Sequence, residues 1–271
     1  MPELPEVHCQ AQFLHAQVEG KKVESIRFFR GNLRNDLDQK ALTRIFTPGA
    51  VTLQVTRWHK KILWTTDKGA AVISLGMSGG FLVRDRKDPL LPHEHICVVF
   101  ENGTKVSYLD PRRFGMWEPM VKGTLLQNLQ IVDALDKKGL LALYKNLPKF
   151  RPIKDFLMDQ KWIGGVGNIY ACEVLFTAGI HPLLPCGSLT FQKWERVVNQ
   201  LQELLGKSIQ LGGSTIHTFK SADGKKGGFT AFHQVYGREG QPCLTSGCLG
   251  CISKVTCLGR STFYCEICQT Q

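Results

Sequence analysis

Apolar and polar positions alternate along much of the first 120 or so residues, and turn signals interrupt the alternation. Residues 22–29, 51–56, 62–65, 71–75, 96–101 and 105–109 read as strands. Asp67-Lys68-Gly69 and Glu101-Asn102-Gly103 divide them as turns. One helical pattern comes first. Val7, Ala11, Leu14 and Val18 recur at helical spacing, and Pro5 and Glu6 suit a helix start. From about residue 125 the period changes. Residues 140–147, 153–158, 169–178 and 189–211 read as helices, the last with Val197, Leu201, Leu204, Leu205 and Ile209 on one side. Residues 221–228, dense in Lys and Gly, read as a mobile loop. The pattern predicts a multi-domain α+β chain: a β-sandwich or barrel with a helix laid on it over 1–122, a helical lobe over 123–235, and a small cysteine-rich hairpin over 236–271.

Composition adds a partner class. The 271 residues are 43% hydrophobic and 21% charged, which argues against wholesale disorder. Lys and Arg number 34 against 23 Asp and Glu, a net charge of +11 that suits a polyanion such as nucleic acid. No apolar run reaches the roughly 18 residues of a membrane helix. The first ten residues, MPELPEVHCQ, lack the basic start of a secretory signal, so a cytoplasmic protein is expected.

Six of the ten cysteines fall between Cys243 and Cys268. In a cytosolic chain such clustering reads as a metal site. Cys265 and Cys268 form one C-x2-C pair. The other pair is Cys248 with Cys251, or Cys243 with Cys248, since structural zinc tolerates two to four residues inside a pair. A module of under 30 residues cannot bury enough to hold itself together without the metal. Cys9, Cys97, Cys172 and Cys186 are scattered among apolar residues and read as packing.

Other motifs read two ways. Gly164-Gly-Val-Gly-Asn168 precedes a helix, so it is either a phosphate-binding turn or a plain cap. Arg112-Arg113-Phe114 on a turn is either a wedge for a base stack or an arginine-rich turn over a core Phe. Arg57-Trp58-His59-Lys60-Lys61 is a basic run between strands, and Arg260 sits at the expected tip of the hairpin. The N-terminus is unusual. Initiator Met is normally removed before Pro, which exposes Pro2 as a secondary amine beside Glu3 and Glu6. An α-amino group titrates at about 7.7–8.0 and is partly neutral at physiological pH. A neutral amine attacks an electrophilic carbon to form an imine or iminium, and neighbouring carboxyls move protons. The bland alternative is a capped helix start.

Together the motifs resemble the formamidopyrimidine-DNA glycosylase family. The resemblance rests on Pro2-Glu-Leu-Pro-Glu-Val7, Leu75-Gly-Met-Ser-Gly79, Asp110-Pro-Arg-Arg-Phe-Gly115, Gly165-Val-Gly-Asn-Ile-Tyr170, Val235-Tyr-Gly237 and the terminal cysteines, in this order. It implies an N-terminal β-sandwich with a catalytic helix, a C-terminal helix-two-turn-helix domain and a β-hairpin zinc finger, with double-stranded damaged DNA across a cleft. It implies a monomer with no membrane partner, one structural Zn2+, and no redox or nucleotide cofactor. It implies Pro2 as nucleophile at C1′, Glu3 as proton donor at O4′, Glu6 as an orienting group and Lys60 as a phosphate ligand. Met77, Arg112 and Phe114 would fill the gap left by the extruded base, with Arg112 facing the estranged cytosine, while Asn168 and Arg260 would grip phosphates. The family's second cysteine usually stands 17 positions before its third. That favours Cys243, Cys248, Cys265 and Cys268, with Cys251 as the alternative to Cys243.

The implied reaction is excision of oxidised purines, 8-oxoguanine opposite cytosine and formamidopyrimidines, followed by β,δ-elimination. An endonuclease VIII-like preference for oxidised pyrimidines and a non-catalytic damaged-DNA binder are the alternatives. Leu4 and the intact 112–114 wedge favour the first. The sequence departs from the family at Ser74, where His is usual, at His8-Cys9 for Glu-Thr, at Trp58-His59 for Arg-Gly, and at Cys172 for Asp. In the family the 214–228 loop closes over the flipped base.

Overall fold

The computed structural model describes residues 2–120, 131–214 and 227–270. By internal contacts the chain forms two compact units, Met1–Asn128 with Leu211–Gly228, and Leu129–Gln210 with Phe229–Gln271. Leu211–Gly228 thus groups with the N-terminal residues, and the terminal hairpin groups with the helices. The boundary expected at 122/123 and most of the 214–228 loop lie outside the described residues.

The first unit is two four-stranded antiparallel sheets. Strands β1 (Val23–Phe28), β6 (Glu94–Phe100), β7 (Thr104–Leu109) and β5 (Gly80–Asp85) make one, in that order. Strands β2 (Thr52–Trp58), β3 (Lys61–Thr66), β4 (Gly69–Ser74) and β8 (Met116–Met120) make the other. Alternation drives this arrangement: Ile62, Trp64 and Thr66 of β3 are buried between half-exposed neighbours. Trp64, Phe46, Phe81, Phe100, Tyr108 and Trp117 form an aromatic cluster in the core, with Phe46 edge-on to Trp64 at 5.2 Å. Helix α1 (Leu4–Val18) contributes Val7, Ala11, Leu14 and Val18 to that core and packs on β2, β3 and β5. A short helix, α2 (Gln39–Ile45), adds Leu42 and Ile45.

The second unit holds β9 (Val132–Asp133), α3 (Lys137–Ala142), α4 (Ile153–Met158), β10 (Ile163–Gly164), α5 (Asn168–Thr177), α6 (Phe191–Gln210), and the hairpin of β11 (Ile252–Cys257) and β12 (Arg260–Cys265). The helix expected over 140–147 is split between α3 and a 3-10 turn, Leu143–Asn146. Nearly all of α5 is buried, and its Cys172 and Phe176 pack with Ile252, Phe263, Cys243 and Cys265 beneath the hairpin. Cys97, Cys172 and Cys186 are buried and Cys9 is half-buried, as packing residues should be.

Candidate active site and nucleic-acid interface

The N-terminus of α1 is fixed by its own side chains. Glu3 is the N-cap and Glu6 the N3 residue of a capping box, and the Glu3 N–H donates to Glu6 Oε2 at 2.8 Å. The other oxygen, Oε1, accepts the N–H of Ser214 at 2.7 Å, across 208 positions of sequence. Gly213 makes that approach possible. Its φ is +81°, and a Cβ there would lie 2.9 Å from Glu6 Oε1. Pro2, Glu3 and Glu6 are all buried, Glu6 completely. One turn on, burial and the nearby Glu6 charge push the Cys9 thiol up to about 11. Cys9 is therefore no thiolate nucleophile at neutral pH. Lys60 is half-buried in the His59-Lys60 turn that joins β2 to β3, the two strands under α1.

Two loops of the same unit carry Met77, Arg112 and Phe114. The turn after β4 and the turn after β7 meet backbone to backbone. A Cβ on Gly76, whose φ is +61°, would lie 2.4 Å from the Phe114 carbonyl carbon. Phe114 is 41% exposed and Met77 39%, so the ring is not a core residue. The Arg112 guanidinium lies over the Phe114 ring at 4.9 Å from its centroid. Sequence reasoning missed what holds these loops. Asp110 is fully buried, and its Oδ1 accepts the Ser78 hydroxyl at 2.5 Å while Oδ2 accepts the Gly115 N–H at 2.8 Å. Ser78 Oγ in turn accepts the Arg112 N–H at 3.1 Å. Both residues sit inside motifs the sequence displays, but no spacing rule assigns them a role.

In the second unit, α4, a turn and α5 bring Asn168 to β12 beside the tip of the hairpin. Gln160 staples the turn: its Nε2 donates to Val166 O at 2.8 Å and its Oε1 accepts the Gly165 N–H at 3.0 Å. Asn168 Nδ2 donates to Ser261 O at 2.9 Å, next to Arg260. The ammonium of Lys154, only 2% exposed, donates to Asn168 Oδ1 at 2.6 Å and to Thr262 Oγ1 at 2.9 Å. Arg260 itself is exposed, just after a turn in which Leu258 and Gly259 have positive φ. Asn168 and Arg260 are thus tied to one another through β12, and Lys154 is the buried link. A lysine in an apolar helix is the only sequence signal for that link. Glu173 of α5 accepts the N–H groups of Gln234, Val235 and Tyr236 at 2.7–3.1 Å, anchoring the Val235-Tyr-Gly237 motif. Burial pushes its carboxyl up against the three donors that oppose the shift.

Cys243, Cys248, Cys265 and Cys268 converge, with their sulfurs all within 4.8 Å of one another. Neighbouring sulfurs are 3.5–3.7 Å apart. A tetrahedral ion with S–metal bonds of about 2.3 Å needs S···S of ~3.8 Å, so the four thiols fit a metal ion. Cys251 is exposed and, like Cys257, stands outside the cluster.

Known proteins share this arrangement. The formamidopyrimidine-DNA glycosylase N-terminal domain profile matches residues 1–117, and the H2TH domain profile of the same enzymes matches 134–220. The formamidopyrimidine-DNA glycosylase of Hydrogenovibrio crunogenus is 37% identical over 100% of this chain and 97% of its own. That of Stenotrophomonas maltophilia is 37% identical over 99% and 100%. Among solved structures, a Lactococcus lactis Fpg mutant in complex with Fapy-dG DNA superposes with a TM-score of 0.88 at 28% identity, covering 100% of both chains. The MutM (Fpg) protein of Thermus thermophilus gives 0.83 at 34%, covering 99% of this chain and 98% of its own. Two family profiles covering most of the chain, full-length relatives at 37% identity and full-length structural matches agree, and the chain belongs to the formamidopyrimidine-DNA glycosylase family.

Proposed function

We infer that the chain is a DNA glycosylase with AP-lyase activity, acting on oxidised purines in duplex DNA. The observation that carries the reading is the buried Glu6 carboxylate, which fixes the Glu3 backbone and Ser214 together around the N-terminal turn. A helix cap alone has no need to be buried and bonded on both oxygens. Family membership supplies the substrate class: relatives carry the name formamidopyrimidine-DNA glycosylase, and one solved relative holds Fapy-dG DNA.

In the proposed reaction the neutral Pro2 nitrogen, freed of Met1, attacks C1′ of the damaged nucleotide. The C1′–N bond to the base breaks, the base leaves with the bonding pair, and it takes up the proton that the Pro2 nitrogen sheds on becoming tertiary. Glu3 protonates O4′ as the sugar opens, which gives an iminium between Pro2 and C1′. The iminium acidifies C2′. Loss of that proton expels the 3′ phosphate, and a second elimination expels the 5′ phosphate. Glu6 orients the turn, and Lys60 holds a phosphate beside the lesion.

A glycosylase takes its target base out of the stack, so the hole must be filled. Met77, Arg112 and Phe114 are exposed on paired loops and are proposed to fill it, with Arg112 facing the estranged base. Asn168 and Arg260 are proposed to hold phosphates. The four cysteines would hold Zn2+, which supplies structure to the hairpin and no chemistry to the reaction. No helix among the described residues is long and apolar enough to cross a membrane; a monomer in the bacterial cytoplasm is proposed.

Strand cleavage tests the reading. Duplexes with one 8-oxoguanine opposite cytosine should be cut with phosphate left on both ends of the gap. Cutting confined to oxidised-pyrimidine duplexes would overturn the purine assignment, and base release without cutting would overturn the lyase.

A further inference from the structure

Resting on that reading, we propose that Asp110 is the positioning residue for opposite-base discrimination, acting through Ser78 to fix the backbone of Arg112. Three observations converge on it. First, the side chains that would enter the DNA are exposed, so beyond the Arg112–Phe114 ring contact their placement rests on their backbones. Second, both backbones converge on one carboxylate. Oδ1 takes the Ser78 hydroxyl, one residue from Met77, and the same Ser78 oxygen takes the Arg112 N–H. Oδ2 takes the Gly115 N–H, one residue from Phe114. Asp110 thereby sets the spacing of Met77, Arg112 and Phe114 at once.

Third, Asp110 is closely surrounded and bonded. The Tyr108 hydroxyl sits where a Cβ on Gly79 or Gly115 would fall, 2.3 and 1.8 Å from it. Its oxygen is 3.5 Å from Asp110 Oδ2, and burial together with the Asp110 charge holds Tyr108 well above its ordinary pKa, so it remains a neutral donor. The Asp110 carbonyl is 2.9 Å from His95 Nε2 and accepts the Arg113 N–H at 3.1 Å. A carbonyl only accepts, so that ring nitrogen carries the proton. Every polar atom of Asp110 is thus engaged on the protein side. Its contribution to reading DNA is transmitted through Arg112, whose guanidinium distinguishes bases by placing its donors at a defined base edge.

The test is the ratio of kcat/KM for 8-oxoguanine opposite cytosine to that opposite adenine, measured for wild type, Asp110→Asn, Ser78→Ala and the double variant, with melting curves for each. Losing one hydrogen bond to a buried charged group corresponds to roughly tenfold, and the ratio should fall by about that factor in each single variant. The double variant should fall little further, because the two share one bond. A merely structural role would lower melting temperature and total activity and leave the ratio alone. A folded variant with the wild-type ratio, or a wild type that does not discriminate, overturns the proposal. Should Asp110→Asn fail to fold, Ser78→Ala carries the test, since it keeps the carboxylate and its bond to Gly115. The glycosylase reading is checked separately by wild-type cleavage opposite cytosine: if that is absent the reading itself fails, and if it is present with unchanged ratios only this proposal fails.

Discussion

Glu6→Gln is the sharpest perturbation of the N-terminal turn. The carboxylate accepts two N–H groups, from Glu3 at 2.8 Å and Ser214 at 2.7 Å, one on each oxygen. An amide has one oxygen. It keeps one bond and turns its NH2 toward the other donor, which leaves a buried N–H without an acceptor. Hydrogen bonds to a charged group contribute about 1.5–3 kcal/mol, and the surviving neutral bond about 0.5–1.5. Relief from burying the charge offsets part of the loss, and the net cost is about 2 kcal/mol. In a protein of this size that lowers the melting temperature by about 4–8 °C. The chemistry should suffer more, since the Pro2-Glu3 segment loses its register. Melting curves and single-turnover trapping of the covalent intermediate, measured on the same preparation, separate the two effects. A lowered melting point with wild-type trapping would refute the orienting role. An unchanged melting point would refute the hydrogen-bond arithmetic.

Three further outcomes are expected. Arg260→Ala should weaken binding to all duplexes and reduce the slope of log K against log salt by about 0.9, the value of one phosphate contact; an unchanged slope removes Arg260 from the phosphate ligands. Chelation should release one metal ion per chain, measured by atomic absorption, and abolish DNA binding; binding that survives removes the hairpin from the interface. Burial among Phe229 and Tyr236 pushes the His233 imidazole down to about 4 from 6.5. The folded state therefore favours neutral His233, and its contribution to stability is complete above pH 6.5 and lost as pH falls toward 4. Melting temperature followed over that window should fall less steeply in His233→Phe, and parallel curves would contradict the assignment.

Periodicity and apolar runs made much of the scaffold legible. Helix α6 and strand β3 follow from periodicity, while the buried helix α5 and the central strands β4 and β6 show instead as near-continuous apolar runs. The elements that escaped are those with weak alternation. Strands β5 and β8 are edge strands. Only Phe81 is buried in β5 and only Trp117 in β8, and β8 tolerates Pro119 because an edge can spare a donor. Helix α2 is seven residues long with two of them buried, too short to show a period. For the candidate site, Pro2, Glu3, Glu6 and the 112–114 wedge stood out as motifs, but their supports did not. The Glu6 bond to Ser214 spans 208 residues, and Lys154 reaches Thr262 across 108. Such links exist only after folding. The cysteines show the same limit: spacing allowed Cys243 or Cys251, and three-dimensional convergence of the sulfurs selects Cys243.

The central claim is that Pro2 is the nucleophile, and borohydride trapping tests it most directly. The protein is mixed with a duplex bearing 8-oxoguanine opposite cytosine, reduced, digested and mapped by mass spectrometry. The account predicts one covalent adduct, on the nitrogen of Pro2 in chains that have lost Met1. An adduct on any lysine, or no adduct while DNA binding and strand cleavage persist, would contradict it.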